Sequence, residues 1–302
     1  MARPLIAIVG PTASGKSALG MRLARETGGE IVSCDSQQVY RGLDIGTAKA
    51  TAKERAEVSH HLIDVVALDE PFSAAEYARL ARAALEDITA RMRLPVVAGG
   101  TGLYLRALLE GLFDGPARDE DTRRRLEALG ERFGDARLHR LLRHLDPRAA
   151  ERTPPRDRVR VVRALEVYRA TGRPLSEHHR EQAAPLRGYR TLVVGLAPDR
   201  GPLRVVVERR TRAMLEGGLL DEVRGLFARG YGPDLRPLQA IGYREAVAVI
   251  QGRLTREEAE AAIVTATMRL AKRQMTWFRH QADVTWFRDP DEAYQAVMEW
   301  LL

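Results

Sequence analysis

A glycine-rich segment of eight residues, Gly10 to Ser17, constrains the fold of this chain more than any other feature. It reads GPTASGKS and fits the pattern G-x-x-x-x-G-K-[ST]. The apolar run PLIAIV at 4–9 predicts a strand before it, and SALGMRLARET at 17–27 predicts a helix after it. Strand, glycine loop and helix in this order are typical of a P-loop, in which backbone N–H groups and a helix N-terminus face a phosphate group. The chain is therefore expected to bind a di- or triphosphate.

Two side chains of this loop carry specific expectations. Lys16 is one of only four lysines among 48 basic residues, and a compact ammonium suits contact with the outer phosphate. The hydroxyl of Ser17 suits a Mg2+ ion. We expect the whole loop to form the phosphate site, that is Gly10, Pro11, Thr12, Ala13, Ser14, Gly15, Lys16 and Ser17.

Strand-like and helix-like patterns alternate along much of the chain. Helices are predicted over 73–92, near 203–217 and from Thr255, where TREE resembles a capping box. Alternation of this kind predicts an α/β fold, namely a P-loop NTPase-like, mostly parallel sheet with helices on both faces. Further strands are predicted at 30–34, 62–66, 95–98, 191–196 and 284–287.

Residues 115–188 break the alternation and have helical periodicity, so we predict a helical insertion between two parts of a catalytic core, 1–114 and 189–302. The net charge of +7 is concentrated there, since residues 115–190 contain 19 Arg against 12 acidic residues. A basic block favours a nucleic-acid surface, although a solvated helical face explains the charge equally well.

Length and composition exclude several classes of protein. With 302 residues, 45% of them hydrophobic, the chain is too long and too apolar for a disordered tail. The single cysteine, Cys34, excludes an intrachain disulfide, and no run approaches the ~20 apolar residues of a membrane span. We expect a cytoplasmic protein without a membrane partner.

Two further loops carry candidate site residues. Asp35 ends a predicted strand and precedes Ser36, Gln37 and Gln38, a set suited to accepting a proton from a base edge and to hydrogen bonding with it. A turn-capping role for Asp35 stays open. The second loop, GGTG at 99–102, combines close backbone approach with the hydroxyl of Thr101, or simply caps a helix.

The segment KRQMTWFR, residues 272–279, interleaves cations with aromatic residues. This pattern suits stacking of unpaired nucleotides, and an amphipathic helix with Trp277 and Phe278 in the core explains it equally well. The paired His60 and His61 lack partner ligands at metal-site spacing, and we interpret them as structural. Cys34 is interpreted as a small buried residue.

Seven blocks of the sequence, taken together, carry a family resemblance. They are GPTASGKS (10–17), DSQQVYRGLDIGTAK (35–49), HHLID (60–64), GGTGLY (99–104), RALEVY (163–168), QAIGYRE (239–245) and AKRQMTWFR (271–279). In this order they resemble the tRNA dimethylallyltransferase family, also called tRNA isopentenyltransferases. Since no Cys-His zinc module follows the WFR block, the chain resembles the bacterial form of the family.

The resemblance implies transfer of a dimethylallyl group from dimethylallyl diphosphate to N6 of the adenosine 3′ of the anticodon, in tRNAs that read codons beginning with U. It implies Mg2+ as cofactor, and as catalytic residues Asp35 as general base with Lys16, Thr101 and Arg210 around the diphosphate. It also implies a tRNA anticodon stem-loop as partner, held by Asp35, Ser36, Gln37, Gln38, Thr101, Arg123, Arg160, Arg163, Gln239, Gly242, Tyr243, Arg244, Lys272, Arg273, Gln274, Trp277 and Arg279.

Two positions depart from the family pattern, since Val159 and Val206 stand where polar and arginine side chains are expected. Three rivals also remain: an adenylate isopentenyltransferase, a small-molecule P-loop kinase, and a non-catalytic RNA-binding protein. The first two have no use for the basic insertion, and the intact set of Lys16, Asp35 and Thr101 disfavours the third. We expect a monomer.

Overall fold

The computed structural model describes residues 2–112, 115–116, 119–181 and 184–302. The predicted α/β architecture is confirmed, because six parallel strands form one sheet in the order β3-β2-β4-β1-β5-β6. The strands are β1 (Arg3–Val9), β2 (Glu30–Ser33), β3 (His60–His61), β4 (Pro95–Ala98), β5 (Tyr189–Leu196) and β6 (Thr285–Phe287).

Helices follow nearly every strand, as a parallel sheet requires. In the first part of the chain they are α1 (Lys16–Thr27), α2 (Ala52–Glu57), α3 (Ala74–Ala90), α4 (Gly102–Glu110), α5 (Glu120–Phe133), α6 (Asp135–Leu145), α7 (Pro147–Arg152), α8 (Arg158–Thr171) and α9 (Leu175–Glu181). They continue as α10 (Arg200–Glu216), α11 (Leu219–Ala228), a 3-10 turn (Arg236–Gln239), α12 (Tyr243–Ile250), α13 (Arg256–Gln281) and α14 (Pro290–Leu301).

The central strand β1 shows how the sheet is covered on both faces. Leu5 and Val9 belong to the larger hydrophobic core with residues of α3, α11 and α12. Ile6 and Ile8 point the other way, into a core that includes residues of α1 and α14. Since the side chains on both faces of β1 are buried, the sheet lies between two helical layers.

The prediction of a strand over 62–66 is wrong. The ladder with β2 ends after His61, and Leu62 and Asp64 have φ values of +62° and +57°, in the left-handed region that interrupts a strand. The Asp64 side chain accepts hydrogen bonds from Lys49 and Arg55, which ties this segment down as a turn.

The chain divides into two compact units. Unit 1 comprises Met1–Leu109 and Leu186–Leu302, and unit 2 comprises Glu110–Pro185. Unit 2 is helical and has its own core, which includes Leu138, Leu142, Val161 and Leu165. No helix in the described ranges is long and apolar enough to cross a membrane.

Candidate active site

The loop between β1 and α1 has the backbone form that its glycines allow. Gly10 and Gly15 have φ values of +139° and +93°, which side-chain-bearing residues rarely adopt. A Cβ at Gly10 would also lie 2.5 Å from the backbone oxygen of Leu196 at the end of β5. These two glycines therefore let the loop fold tightly over the sheet edge.

Lys16 is buried within this loop, where its Nζ donates to the Pro11 carbonyl at 2.5 Å. Burial lowers the pKa of Lys16 to about 8; the nearby Asp35 carboxylate opposes this shift and the Arg210 guanidinium adds to it. Lys16, Asp35 and Arg210 thus act on one another electrostatically, although Arg210 lies far from the other two in the sequence.

The hydroxyl of Ser14 is a second buried polar group of the loop. Ser14 is 8% exposed, and its Oγ has no hydrogen-bond partner among the described residues. A buried hydroxyl without a partner is costly unless a ligand satisfies it. The position of Ser14 in a loop of phosphate-binding form suits a phosphate oxygen.

Asp35 lies just beyond the carboxyl end of β2, the edge at which parallel sheets hold their ligands. Its Oδ1 accepts hydrogen bonds from the backbone N–H groups of Gln37, at 2.8 Å, and Gln38, at 3.4 Å. The turn-capping role is therefore real. Because these bonds from the part of the chain that the structure describes reach Oδ1, Oδ2 is left to accept a proton.

Thr101 holds the backbone on the other side of Asp35. Its Oγ1 accepts from the Ser36 N–H at 3.0 Å, and its own N–H donates to the Cys34 carbonyl at 3.1 Å. A Cβ at Gly99 would overlap that same carbonyl of Cys34, so the two strand ends approach this closely only because residue 99 is glycine. The GGTG loop therefore holds the backbone on both sides of Asp35 in place.

Arg210 reaches the phosphate loop from α10. Its Nη1 donates to the Thr12 hydroxyl at 3.4 Å. Burial lowers the pKa of Arg210, and the Asp35 carboxylate opposes that shift. A partly desolvated guanidinium beside a phosphate loop is well suited to bind a multiply charged anion.

The segment 272–279 lies in α13, and its residues divide between two roles. Lys272, Arg273 and Arg279 are exposed, whereas Phe278 is 1% exposed and packs edge-on against Trp277, with ring centroids 5.1 Å apart. The core interpretation is thus met by Phe278, and stacking of nucleotides on this segment stays a prediction. A cavity of about 180 Å³ lies beside it, lined by Gly100, Gly102, Arg273, Gln274, Trp277 and Phe278.

The residues predicted around α12 have mixed environments. Tyr243 is fully buried, and its hydroxyl bonds within the protein, so the side chain does not face a ligand. Gly242 caps the helix with a φ of +93°. Arg244 is half exposed beside Glu245, and the exposed Gln239 donates to the Pro233 carbonyl.

In unit 2 the three predicted arginines differ in accessibility. Arg123 and Arg163 both bond to the carboxylate of Glu166, which is 1% exposed. Arg160 is 67% exposed and pairs with Asp157 at 3.4 Å. Val159, beside it, is 72% exposed. Arg160 is thus the most accessible of the three, whereas the other two also neutralise a buried acid.

The paired histidines and the cysteine have structural contacts. His61 bonds to the buried Glu30 at 2.7 Å, and the Nδ1 of His60 lies 2.7 Å from the Val58 carbonyl. Burial raises the pKa of Cys34 to about 12, so its thiol is not a nucleophile.

Three residues that organise these elements carry no sequence signal of their own. Lys49, Glu166 and Glu222 make buried or partly buried bonds to neighbouring loops. Lys49 and Glu166 lie in blocks that resemble the family, but only the three-dimensional contacts show what their side chains do.

Comparison with known proteins places this chain in a family. The sequence model described as "IPP transferase" matches residues 38–281. The chain is 49% identical over 287 residues to tRNA dimethylallyltransferase 2 of Geotalea uraniireducens (strain Rf4), covering 95% of this chain and 93% of the relative. It is 50% identical over 289 residues to tRNA dimethylallyltransferase of Anaeromyxobacter sp. (strain Fw109-5), covering 96% of each.

Solved structures agree with the sequence relatives. The full-length tRNA isopentenylpyrophosphate transferase of Bacillus halodurans aligns with a TM-score of 0.71 and 41% identity over 99% of this chain and 95% of that chain. A eukaryotic dimethylallyltransferase described as acting on tRNA aligns with a TM-score of 0.75 and 29% identity, over 94% of this chain and 74% of that chain. The chain therefore belongs to the IPP transferase family and is an enzyme of the tRNA dimethylallyltransferase type.

Proposed function

We propose that this protein transfers a dimethylallyl group from dimethylallyl diphosphate to N6 of the adenosine 3′ of the anticodon, in tRNAs that read codons beginning with U. The products are N6-dimethylallyladenosine and diphosphate. The observation that carries the proposal is a chain of hydrogen bonds from the phosphate loop to the backbone beside Asp35. Gln274 joins Thr12 to Gly100, and the neighbouring Thr101 bonds to the N–H of Ser36. This chain sets a diphosphate cradle beside a carboxylate that can accept a proton.

The diphosphate of the prenyl donor occupies the loop from Gly10 to Ser17. Its backbone N–H groups, the buried Ser14 hydroxyl and the Lys16 ammonium bind the phosphate oxygens. Arg210 and Thr101 add positive charge and a hydroxyl. As the allylic C–O bond breaks, the electron pair stays on diphosphate, and these groups stabilise the charge that develops there.

A Mg2+ ion fits the donor set at this loop. Within residues 2–112, 115–116, 119–181 and 184–302, no three His, Cys, Asp or Glu side chains lie together as a metal site. Magnesium commonly takes few protein ligands and completes its shell with phosphate oxygens and water. The Ser17 hydroxyl would hold the ion, which when bound neutralises part of the diphosphate charge.

Asp35 is the general base for the acceptor. The N6 amine of adenine is a poor nucleophile because its lone pair is delocalised into the ring. As nitrogen bonds to the allylic carbon, Oδ2 of Asp35 takes the proton that the amine loses. Bonds from the N–H groups of Gln37 and Gln38 to Oδ1 orient the carboxylate for this transfer.

The target base must leave its stack to reach Asp35. The Oε1 of Gln37 is buried and has no hydrogen-bond partner among the described residues, so it is suited to accept from an adenine amine. Gln38 and Ser36 shape the same segment. The cations and the partly buried ring at the end of α13, Lys272, Arg273, Trp277 and Arg279, contact the neighbouring nucleotides.

Unit 2 grips the anticodon stem. Unit 2 itself contains 17 arginines against 14 acidic residues, and Arg187 and Arg190 follow it directly in the sequence. The segment 115–190 has 19 arginines against 12 acidic residues, a surplus that suits a phosphate backbone. Arg160 is the most accessible of the predicted contacts, and the outer faces of Arg123 and Arg163 extend the same charge. We further propose that the protein acts as a monomer in the cytoplasm.

Parallel reactions with different acceptors distinguish this function from the alternatives. The protein is incubated with Mg2+ and dimethylallyl diphosphate, in one reaction with an anticodon stem-loop and in another with AMP, and separately with Mg·ATP and small acceptors. We expect prenylation of the stem-loop alone. Prenylated AMP without prenylated RNA would show an adenylate isopentenyltransferase, and phosphoryl transfer alone would show a kinase.

A further inference from the structure

We propose that Glu222 and Tyr243 are positioning residues for the turn at 44–48, and that through this turn they fix the segment 35–38 against which the target adenine is read. The inference rests on the proposed function, since it concerns the acceptor side of the same site. It assigns Tyr243 to the interior of the protein and not to direct contact with RNA.

The Tyr243 hydroxyl sits between a carboxylate and the turn. It donates to Glu222 Oε1 at 2.6 Å and accepts from the Gly46 N–H at 3.1 Å. The ring packs closely against Gly46, where a Cβ would lie 2.5 Å from a ring carbon. Burial, assisted by the Glu222 carboxylate, raises the pKa of Tyr243, so the hydroxyl stays protonated and keeps donating.

Glu222 binds the same turn from α11. Its Oε2 accepts from the backbone N–H groups of Asp44, at 3.1 Å, and Ile45, at 2.8 Å. Together with the bond from Gly46 to Tyr243, three successive N–H groups of the turn are held by two side chains. A hydrogen bond from a backbone N–H group to a carboxylate is stronger than one between two neutral groups.

The opposite side of the turn holds Gln38. Its Nε2 donates to the carbonyls of Thr47, at 3.3 Å, and Ala48, at 3.4 Å, and its Oε1 accepts from the Ser33 hydroxyl at 2.9 Å. Both ends of this amide are therefore used by the protein. Gln38 acts as a strut between the turn and the loop that carries Asp35.

Gln37, immediately before this strut, has the buried amide oxygen without a partner. The orientation of the Gln37 side chain depends on Gln38 and on the turn at 44–48 to which Gln38 bonds. Asp35 itself is held from the other side by the bonds that Thr101 makes to the Cys34 and Ser36 backbone. Loosening the turn should therefore disturb the reading of the adenine more than the proton transfer.

Lys49 closes the turn independently of Glu222 and Tyr243. Its Nζ donates to the Tyr40 carbonyl at 2.6 Å, and to the carboxylates of Asp44 at 2.8 Å and Asp64 at 2.5 Å. Because this anchor remains, removal of one hydroxyl at residue 243 should loosen the turn without unfolding it.

The test replaces Tyr243 by phenylalanine, which keeps the ring and removes the hydroxyl. We expect the KM for tRNA to rise about tenfold, the size of effect that follows loss of a hydrogen bond to a charged group. The kcat and the KM for dimethylallyl diphosphate should stay within about twofold of the wild type. Backbone amides of residues 44–46 should exchange hydrogen about tenfold faster in the variant, which is a readout independent of activity.

Tyr294→Phe is the matched control, because the Tyr294 hydroxyl also donates to a glutamate, Glu26, between α14 and α1. It should leave both the tRNA KM and the exchange of the turn unchanged. If Tyr243→Phe does not fold, Glu222→Gln provides the same test with the charge removed.

Two outcomes overturn the inference. One is an unchanged tRNA KM together with unchanged exchange at 44–46. The other is a fall in kcat together with equal rises in the KM for tRNA and the KM for dimethylallyl diphosphate, which would indicate a general structural defect. Failure of the wild type to prenylate any RNA would instead contradict the proposed function, and the exchange measurement would still decide the positioning of the turn.

Discussion

Gln274 joins the two loops of the phosphate site, because its Oε1 accepts from the backbone N–H of Thr12 at 2.9 Å. The other end of the same amide, Nε2, donates to the Gly100 carbonyl at 3.0 Å. A Cβ at Gly100 would overlap that amide nitrogen, so a larger residue there would displace the end of the Gln274 side chain. One side chain from near the C-terminus thus fixes the spacing of two loops whose residues lie far away in the sequence.

The bridge predicts the effect of Gln274→Ala. Loss of both bonds should let the loops move apart and raise the KM for dimethylallyl diphosphate about tenfold. The KM for tRNA should change less. Gln281→Ala, at the exposed end of the same helix, is the control. Equal behaviour of the two variants in steady-state kinetics would contradict the role of Gln274.

The pKa of Lys16 predicts how diphosphate binding depends on pH. Since burial lowers this pKa to about 8, the ammonium that attracts diphosphate is lost from the free protein as pH rises through that value. The affinity for inorganic diphosphate should therefore weaken progressively between about pH 8 and the ordinary lysine range, by up to about tenfold per pH unit.

Calorimetric titration of diphosphate from pH 7 to 9.5 would check this. Lys16→Met should bind weakly throughout and show a much smaller change over the same range. A wild-type affinity that is constant from pH 7 to 9.5 would show that Lys16 remains charged.

Asp35→Asn should abolish most of the turnover while leaving tRNA binding nearly intact. The amide still accepts the N–H bonds of Gln37 and Gln38, but it cannot take the amine proton, so the rate should fall by roughly 10²- to 10⁴-fold. Single-turnover rates and a binding titration measure the two quantities separately. A full rate in the variant would show that another group takes the amine proton. Asp69→Asn, at an exposed position, is the control.

The arginines of unit 2 should separate into two classes. Arg160→Ala removes an exposed cation and should reduce the dependence of log Kd for tRNA on log salt by about one unit of slope, with little effect on stability.

Arg123→Ala should instead destabilise the protein, since it removes one of two arginines from a carboxylate that is 1% exposed. Burial alone would raise the pKa of Glu166, but bonds from Arg163 and Arg123 outweigh it and lower that pKa. We expect a loss of about 3 kcal/mol, at the low end for breaking a buried ion pair because Arg163 remains. Denaturant unfolding measures this, and a stability equal to that of Arg160→Ala would contradict the assignment.

Much of the fold could be predicted from local pattern. The strands at 95–98 and 191–196 are short β-branched runs between helical segments, and the capping box at Thr255 and Glu258 begins α13 as predicted. In the segment 62–66, however, the local sequence pattern and the structure differ. Its apolar residues predict a strand, but left-handed backbone at Leu62 and Asp64, together with the ion pairs of Asp64, makes it a turn.

The site was predictable only in part, for a similar reason. Motifs identify residues such as Lys16, Asp35 and Thr101 because their neighbours in sequence show their context. The inward roles of Tyr243 and Gln274 depend on contacts 197 and 262 residues away along the chain, which no local pattern encodes.

The central claim is the transfer of a prenyl group to one adenosine of tRNA. The most direct test is mass spectrometry of nucleosides from tRNA that has been incubated with the protein, Mg2+ and dimethylallyl diphosphate, followed by mapping of the modified position. We predict N6-dimethylallyladenosine immediately 3′ of the anticodon, formed by the wild type and not by Asp35→Asn. Unmodified tRNA, or a prenyl group on another nucleotide, would contradict the account.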